Sequence, residues 1–354
     1  MTGPMSVLAS LGFGPFFEAQ VAEAERGALR PGRAVADRGP RLLVRFEDGE
    51  RLVTVPGRLR AAAEVPVVGD FVLATPGAEP AVVRVLTRRS VLSRGAAGRA
   101  TAEQVLAANV DLVFLVHGLD AGVKPRRIER TLAAVYASGA EPVVLLSKVD
   151  LEEEREAVLA EAAEVAGAAP VLLVSGTTGE GLPAVRALLA PGRTGVFVGP
   201  SGSGKSTLVN ALLGEAVQAT AAVRARDARG RHTTSGRLLV PVPDGGCVID
   251  GPGIRELKLW DAAGIEGVFD DITAVAAGCR FRDCAHEDEP GCAVRAAVED
   301  GRLDPGRLAS LQKLEAEVRA AEARKGGPAA LEEKRRWRAI SREIRRFNRE
   351  RGRE

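Results

Sequence analysis

A glycine-rich segment near the middle of the chain has the residue spacing of a phosphate-binding loop. Residues 199–207 read Gly-Pro-Ser-Gly-Ser-Gly-Lys-Ser-Thr, which matches the pattern G-x-x-x-x-G-K-S-T. Such glycines let backbone N–H groups converge on phosphate oxygens, and the helix that follows points its positive end at them. We expect Lys205 to act in catalysis by reaching the β- and γ-phosphates, and Ser206 to hold Mg²⁺ through its hydroxyl. The predicted phosphate contacts are Gly199, Pro200, Ser201, Gly202, Ser203, Gly204, Lys205, Ser206 and Thr207.

Two segments after this loop have the positions expected of GTPase switches. Asp250-Gly-Pro-Gly253 follows an apolar strand and resembles D-x-x-G of switch II. In that motif the aspartate contacts Mg²⁺ through water, and the N–H of the glycine senses the γ-phosphate. Residues 229–235 lie between the two motifs, where a switch I threonine completes the magnesium shell. Thr233 or Thr234 could be this magnesium ligand, and the sequence does not choose between them; a plain basic loop would be the structural interpretation.

The residue after the D-x-x-G glycine bears on the rate of hydrolysis. In Ras-like GTPases it is the glutamine that orients the attacking water, whereas this chain has Ile254. An apolar side chain cannot orient water, so we expect slow intrinsic hydrolysis. His232 is the nearest polar candidate for the catalytic role, and its alternative is an ordinary loop residue.

A motif suited to guanine lies before the phosphate loop, although ordinary GTPases have it afterwards. Residues 147–150 read Ser-Lys-Val-Asp and resemble N-K-x-D. The carboxylate of Asp150 would accept hydrogen bonds from guanine N1 and N2, which adenine does not match. Serine in place of asparagine predicts a lower affinity, and the stem of Lys148 would pack over the phosphate loop or the base. A second loop, Ser-Gly-Thr-Thr-Gly at 175–179, resembles the one that contacts guanine O6. The predicted base contacts are Ser147, Lys148, Val149, Asp150, Ser175 and Gly176.

Three cysteines and a histidine lie close together in the C-terminal part of the chain. Cys279, Cys284, His286 and Cys292 supply three sulfurs and one imidazole, which is a complete tetrahedral set for zinc. Because no ligand position is left for a substrate, we expect a structural site. Incidental cysteines are the alternative, since the spacing departs from the common C-x₂-C pattern.

The elements around these motifs predict a multidomain protein. Short strands within residues 41–86 suit an all-β OB-like barrel, and a purely structural SH3-like module is the alternative. From about residue 105, strands alternate with helices, which predicts a parallel sheet covered on both faces and therefore an α/β P-loop GTPase fold. The C-terminal part reads as α-helical. The predicted domains are an N-terminal extension (1–35), an OB-fold-like β-barrel (36–97), a circularly permuted GTPase domain (98–265) and a zinc-binding domain with a basic helical tail (266–354).

Composition and charge point to a protein of the cytoplasm with a polyanionic partner. The chain is 45% apolar and 27% charged, and it has neither a signal-peptide pattern nor an apolar run that would span a bilayer. The formal net charge is +2. Residues 334–354 hold ten Lys/Arg and three Glu, or +7, which leaves about −5 on the rest. A basic tail of this kind favours nucleic acid, although a solvated helix is the alternative.

Taken together, these residues resemble the bacterial ribosome small-subunit-dependent GTPase A family. The most specific segments are Arg231–Thr234, Asp250–Leu257 and Cys279–Cys292, and the likeness covers nearly the whole chain after residue 35. It implies a late maturation factor that binds the small ribosomal subunit and its rRNA and hydrolyses GTP to GDP with stimulation by the subunit. It also implies Mg²⁺ and one structural Zn²⁺, and we expect a monomer. The chain departs from the family at Ser147, where the family has Asn, and at Gly251, where Thr is common.

Two other functions compete with this one. A phosphate loop does not itself choose a base, so a P-loop ATPase or a small-molecule kinase is the first alternative. The second is a non-catalytic RNA-binding scaffold that uses nucleotide only to hold its shape. Competition binding of GDP against ADP would distinguish a GTPase from an ATPase or kinase. A Lys205→Ala variant would distinguish a GTPase from a scaffold, because subunit binding should lose its nucleotide dependence only if the phosphate loop acts as a switch.

Overall fold

The computed structural model describes most of the chain. The described residues are 5–62, 64–95, 103–214, 237–251 and 263–324. The predicted switch I residues His232, Thr233 and Thr234 lie outside them, as do Gly253 and the basic tail at 334–354.

The chain divides into two compact units. The first comprises Met1–Arg94 and Val105–Lys258, and the second comprises Gly95–Gln104 and Leu259–Glu354. Short helices and strands open the first unit. They are α1 (Val7–Ser10), α2 (Pro15–Glu18), β1 (Arg30–Arg38), β2 (Arg41–Phe46), β3 (Gly49–Thr54), α3 (Gly57–Ala61), β4 (Phe71–Ala74) and β5 (Val82–Val85).

These first strands are antiparallel and share one core. β1 pairs with both β2 and β4, β2 pairs with β3, and β4 pairs with β5. One face of β2 is buried, since Leu42, Val44 and Phe46 are at most 3% exposed. Alternation between buried and solvent-facing side chains therefore positions β2 as the sequence indicates.

The remaining elements of the first unit begin with three strands, continue with alternating helices and strands, and end with two further strands. They are β6 (Val91–Gly95), β7 (Glu103–Ala108), β8 (Leu112–Gly118), α4 (Pro125–Ala137), β9 (Glu141–Ser147), α5 (Arg155–Ala166), β10 (Val171–Val174), α6 (Leu182–Leu188), β11 (Thr194–Val198), α7 (205–214), β12 (Leu238–Pro241) and β13 (Cys247–Asp250). β6 and β7 form a two-stranded sheet of their own.

One mixed sheet joins most of these strands in the order β10-β9-β8-β11-β13-β12-β1-β2-β3. The five strands from β10 to β13 in this order are parallel, as predicted. Leu112–Val116 in β8 is at most 5% exposed, which fits a strand covered on both faces. The rings of Phe114 and Phe197 stack with their centroids 4.7 Å apart. Because parallel strands end at one edge of a sheet, the loops after β8, β9, β11 and β13 meet there.

The antiparallel strands continue this sheet through β12. β12 runs antiparallel to β13 and also to β1, with Ala36 opposite Leu238. The buried guanidinium of Arg33 on β1 donates to the carbonyls of Leu11, Gly69 and Asn109. A charge with carbonyl partners from three segments is well compensated, so Arg33 helps to hold β1 against its neighbours.

Between residues 263 and 324, the regular elements of the second unit are helices, as predicted. Its helices are α8 (Ala263–Glu266), α9 (Asp270–Ala276), α10 (Ala293–Glu299) and α11 (Pro305–Arg324). Arg307 of α11 makes two hydrogen bonds to the carboxylate of Asp271 on α9. Across the described parts of the chain, helices long and apolar enough to cross a bilayer are absent.

Candidate nucleotide and metal sites

The loop between β11 and α7 has the geometry of a phosphate-binding loop. Gly199, Gly202 and Gly204 have φ angles of 146°, 81° and 88°, which glycine adopts readily and other residues rarely adopt. A Cβ atom at Gly199 would also lie 2.3 Å from the carbonyl oxygen of Val116. The glycines are thus required by shape, and α7 begins directly after them with its N-terminus toward the loop.

The lysine of the motif lies inside the loop. Lys205 is only 9% exposed, and its ammonium donates hydrogen bonds to the carbonyl of Pro200 and to the hydroxyl of Ser203. An ammonium held among loop carbonyls is placed where phosphate oxygens would compete for its protons.

Two of the residues predicted to contact magnesium line one cavity, whereas Thr233 lies outside the described residues. Ser206 at the start of α7 and Asp250 at the end of β13 line it together with Lys205 and Gly251. A hydroxyl and a carboxylate are the oxygen ligands that Mg²⁺ prefers, directly or through water. The residues present therefore fit a magnesium ion bound between the phosphate loop and the D-x-x-G segment.

Ser147 connects the base motif to the phosphate loop. Its side chain is buried, and its Oγ lies 2.6 Å from the carbonyl oxygen of Ser203 and 3.2 Å from that of His117. A hydroxyl has one proton to donate, and the shorter distance assigns it to Ser203. Sequence reasoning considered only the affinity lost with asparagine and missed this contact, because 56 residues separate the two serines.

The other residues of the base motif follow Ser147 in a tight turn. Lys148 has a φ of 65°, Val149 is buried, and Asp150 is exposed at the end of β9. The ammonium of Lys148 lies 2.7 Å from a carboxylate oxygen of Asp120 in the loop after β8. That hydrogen bond lowers the pKa of Asp120 below its usual value. Sequence reasoning did not identify Asp120.

The second predicted base loop packs against the first turn of α7. The hydroxyl of Ser175 accepts hydrogen bonds from the N–H groups of Thr177 and Thr178, which fixes the turn. A Cβ atom at Gly176 would lie 2.9 Å from the carbonyl carbon of Thr207. Only glycine allows this approach, so the structure places both predicted base segments beside the phosphate loop.

The cysteine and histidine side chains converge in the second unit. The ligand atoms of Cys279, Cys284, His286 and Cys292 all lie within 4.8 Å of one another. The Sγ atoms of Cys279 and Cys292 are 3.9 Å apart, and His286 Nδ1 is 3.4 Å from the latter sulfur. Sulfurs bound to zinc at about 2.3 Å in a tetrahedron lie about 3.7 Å apart. The donor set and its spacing therefore fit one zinc ion.

Hydrogen bonds outside the four side chains hold this cluster together. The carboxylate of Glu289 accepts from the N–H groups of Ala285 and Glu287, both at 2.9 Å. The side-chain amide of Gln312 on α11 donates to the carbonyl of His286. Such contacts orient ligands and thereby favour a fixed metal geometry.

Comparison with known proteins agrees with the order of these motifs. The family model for the RsgA GTPase matches residues 85–260. A small ribosomal subunit biogenesis GTPase RsgA from Opitutus terrae is 43% identical over 350 residues, which are 94% of this chain and 95% of the relative. A protein of the same name from Xanthomonas euvesicatoria pv. vesicatoria is 50% identical over 268 residues, 75% of this chain and 72% of the relative.

Solved structures share the fold. The crystal structure of YjeQ from Thermotoga maritima has a TM-score of 0.62 and 26% identity, and the match covers 82% of this chain and 98% of that one. YloQ, described as a circularly permuted GTPase, has a TM-score of 0.61 at 24% identity, with coverage of 82% and 96%. The resemblance inferred from sequence is confirmed. The chain belongs to the RsgA GTPase family and is a GTP hydrolase with a circularly permuted GTPase fold.

Proposed function

We propose that this GTPase acts in the biogenesis of the small ribosomal subunit, which it binds and which stimulates its hydrolysis of GTP. Relatives named for that role align with up to 94% of the chain. The observation that carries the proposal is the convergence of three segments at one sheet edge. The phosphate loop, the base motif at 147–150 and Asp250 come from different strands and meet there.

In this proposal, the described residues have distinct tasks at the nucleotide. The phosphate loop and Lys205 bind the β- and γ-phosphates, and Ser206 and Asp250 hold Mg²⁺ directly or through water. The exposed carboxylate of Asp150 accepts the two guanine hydrogen bonds. When bound, Mg²⁺ neutralises charge that develops on the phosphates. His232 as catalytic residue, Thr233 or Thr234 as magnesium ligand and Gly253 as phosphate sensor remain predictions outside the described residues.

We infer that the first strands form the OB-like barrel that the sequence predicted at residues 36–97, and that it also includes β1 from Arg30 onward. In support, β1 pairs with both β2 and β4. A β-bridge between Thr54 and Ala81 joins the end of β3 to the residue before β5. The outer strands on the two sides of β1 therefore approach each other. Strands of such barrels often bind oligonucleotides, so this surface suits rRNA together with the basic tail. The other predicted boundaries, with the GTPase domain at 98–265 and the zinc-binding domain at 266–354, belong to the same proposal.

The decisive experiment measures GTP turnover with purified small subunits, with large subunits and without either. Ile254 in place of a water-orienting glutamine predicts slow turnover alone. A partner that supplies the missing group raises such rates by about 10³ to 10⁵. We expect stimulation by small subunits only and none in a Lys205→Ala variant. Equal turnover in all three conditions would contradict the proposal.

Two controls separate the competing functions. Displacement of bound GDP by ADP at comparable concentration would indicate the ATPase or kinase function. Retention of nucleotide-dependent subunit binding in Lys205→Ala would indicate that the loop does not control the subunit interaction. A scaffold without catalysis would bind subunits with unchanged affinity and show no turnover at all.

A further inference from the structure

The lysine of the base motif is held by a residue that no motif contains. Lys148 follows β9, and the carboxylate that pairs with its ammonium belongs to Asp120, which follows β8. The two side chains come from neighbouring parallel strands and are 28 residues apart in sequence. Asp120 and Lys148 remain partly exposed, with 50% and 27% of their side chains accessible to solvent.

The turn that carries Asp120 is itself fixed. It is a single 3₁₀ turn, Leu119–Ala121, closed by Gly122 at a φ of 65°. The ring of the buried His117 makes a hydrogen bond from Nε2 to the carbonyl of Gly122, at 2.9 Å. These contacts fix the backbone of the turn from which the Asp120 side chain projects.

The stem of Lys148 lies beside the phosphate loop. A Cβ atom at Gly118 would be 2.6 Å from Oδ1 of Asp120, 3.5 Å from Cα of Ser203 and 3.7 Å from Cε of Lys148. Gly118 therefore keeps open the narrow space where the turn, the lysine and the loop meet. Any larger residue would push Asp120 from its position.

We propose that Asp120 is a positioning residue for nucleotide binding, because its carboxylate orders the Lys148 stem beside the phosphate loop before a purine nucleotide arrives. The inference rests on the proposed guanine-nucleotide site. A lysine side chain has several rotatable bonds. Conformational entropy is lost when such a side chain becomes ordered on binding, and this loss weakens affinity. An ion pair that already fixes the side chain removes that loss. The stem covers apolar surface of the base and does not read its edge, so the gain applies to any purine.

The test compares GDP affinity of the wild-type protein with Asp120→Asn, Asp120→Glu, Lys148→Ala and the double variant Asp120→Asn/Lys148→Ala. We expect Asp120→Asn to weaken GDP binding between about twofold and about tenfold, the range for ordering one long side chain. Asp120→Glu recovers affinity because it restores the charge. In the Lys148→Ala background, Asp120→Asn causes no further loss.

Two further measurements identify the mechanism. Inosine diphosphate, which lacks the guanine amino group, should lose affinity by the same factor as GDP in Asp120→Asn. The difference from wild type should shrink in about 1 M salt, where the Debye length is about 3 Å. As a control, Asp48→Asn removes the exposed ion pairs with Arg30 and Arg51 at the β2–β3 hairpin and should leave GDP affinity unchanged.

Each outcome bears on the inference. Equal GDP affinity of Asp120→Asn and wild type would overturn it, as would an undiminished loss in the Lys148→Ala background. A loss confined to GDP and absent with inosine diphosphate would also overturn it, since that pattern belongs to edge recognition. Failure of the wild-type protein to bind GDP would instead refute the proposed nucleotide site.

Discussion

The hydroxyl of Ser147 donates a hydrogen bond to the carbonyl of Ser203 across 2.6 Å, and both residues are at most 3% exposed. This contact joins the end of β9 to the phosphate loop. A buried hydrogen bond therefore links the segment proposed to bind the base to the loop proposed to bind the phosphates. The contact brings the base motif next to the phosphate loop, although 56 residues separate Ser147 from Ser203 in the sequence.

Removal of this hydroxyl should affect both stability and nucleotide binding. Ser147→Ala leaves the buried carbonyl of Ser203 without its donor, which lowers the free energy of unfolding by about 1–3 kcal/mol. GDP affinity should fall as well, because the loop loses a fixed support. Urea denaturation and GDP titration measure the two effects.

Ser90→Ala is the matched control for that variant. The hydroxyl of Ser90 is also buried and donates to the carbonyl of Val110 at 2.6 Å. We expect a comparable loss of stability with unchanged GDP affinity. If both variants bind GDP as tightly as wild type, the support of the loop by Ser147 is refuted.

Exchange of the carboxylate of Asp150 for an amide should change base preference. Asp150→Asn replaces an acceptor pair with one acceptor and one donor group, so GDP binding weakens by about 1.5–3 kcal/mol. Xanthine has a carbonyl where guanine has its amino group, and the new amide N–H can donate to it. The ratio of GDP to xanthosine diphosphate affinity should therefore invert. An unchanged ratio would remove Asp150 from the base site.

Chelation should divide the four cysteines into two classes. With metal bound, thiol reagents should modify none of them in the folded protein. A strong chelator should expose Cys279, Cys284 and Cys292. Cys247 should stay unmodified at pH 7, because burial raises its pKa to about 11 and keeps it protonated.

The fourth thiol should react only after unfolding in denaturant, which serves as the internal control. Helical circular dichroism should fall with chelation, since metal binding contributes free energy of folding to small zinc domains. Three thiols that react at the same rate before and after chelation would argue against a metal site.

Acid should destabilise the protein through His117. Burial lowers its pKa below the usual 6.5, because the charged imidazole is disfavoured away from water. As pH falls through 6.5, the unfolded chain takes up a proton that the folded chain does not, so the free energy of unfolding decreases until the lowered folded pKa is passed. Above about pH 7.5 the residue contributes no such dependence.

His117→Asn tests this dependence, because its side-chain amide can still donate to the carbonyl of Gly122. The difference in unfolding free energy between wild type and variant should change between pH 7 and pH 5 and stay constant from pH 7.5 to pH 8.5. A constant difference across the whole range would show that His117 does not titrate on unfolding.

Local chemistry explains what the sequence predicted well. A phosphate loop needs its glycines and its lysine in consecutive positions, and α4 begins with a proline, which is a local signal of a helix start. β1 was harder. It begins at Arg30, in a segment without clear period, and Arg33 on it is 1% exposed. Its partners Leu11, Gly69 and Asn109 are distant in sequence, so no local pattern indicates that an arginine is buried there.

Contacts between residues that are distant in sequence also limited the prediction of the nucleotide site. The motifs identified which residues act, whereas Asp120 and the hydroxyl of Ser147 gained their significance only from contacts between strands. The sequence analysis also did not predict β6 and β7, because residues 87–90, which precede β6, contain no glycine or proline to mark a turn.

The pairing of β1 with β12 determines how the protein can be divided. Residues 85–260 match the RsgA GTPase family model, yet β1 at Arg30–Arg38 lies outside that range and pairs with the edge of β12 at Ala36 and Leu238. A fragment cut to the matched range would present an unprotected sheet edge to solvent, where other chains can add as extra strands. The N-terminal strands therefore also prevent other chains from pairing with the edge of the GTPase sheet. Fragments for biochemical work should begin before Arg30.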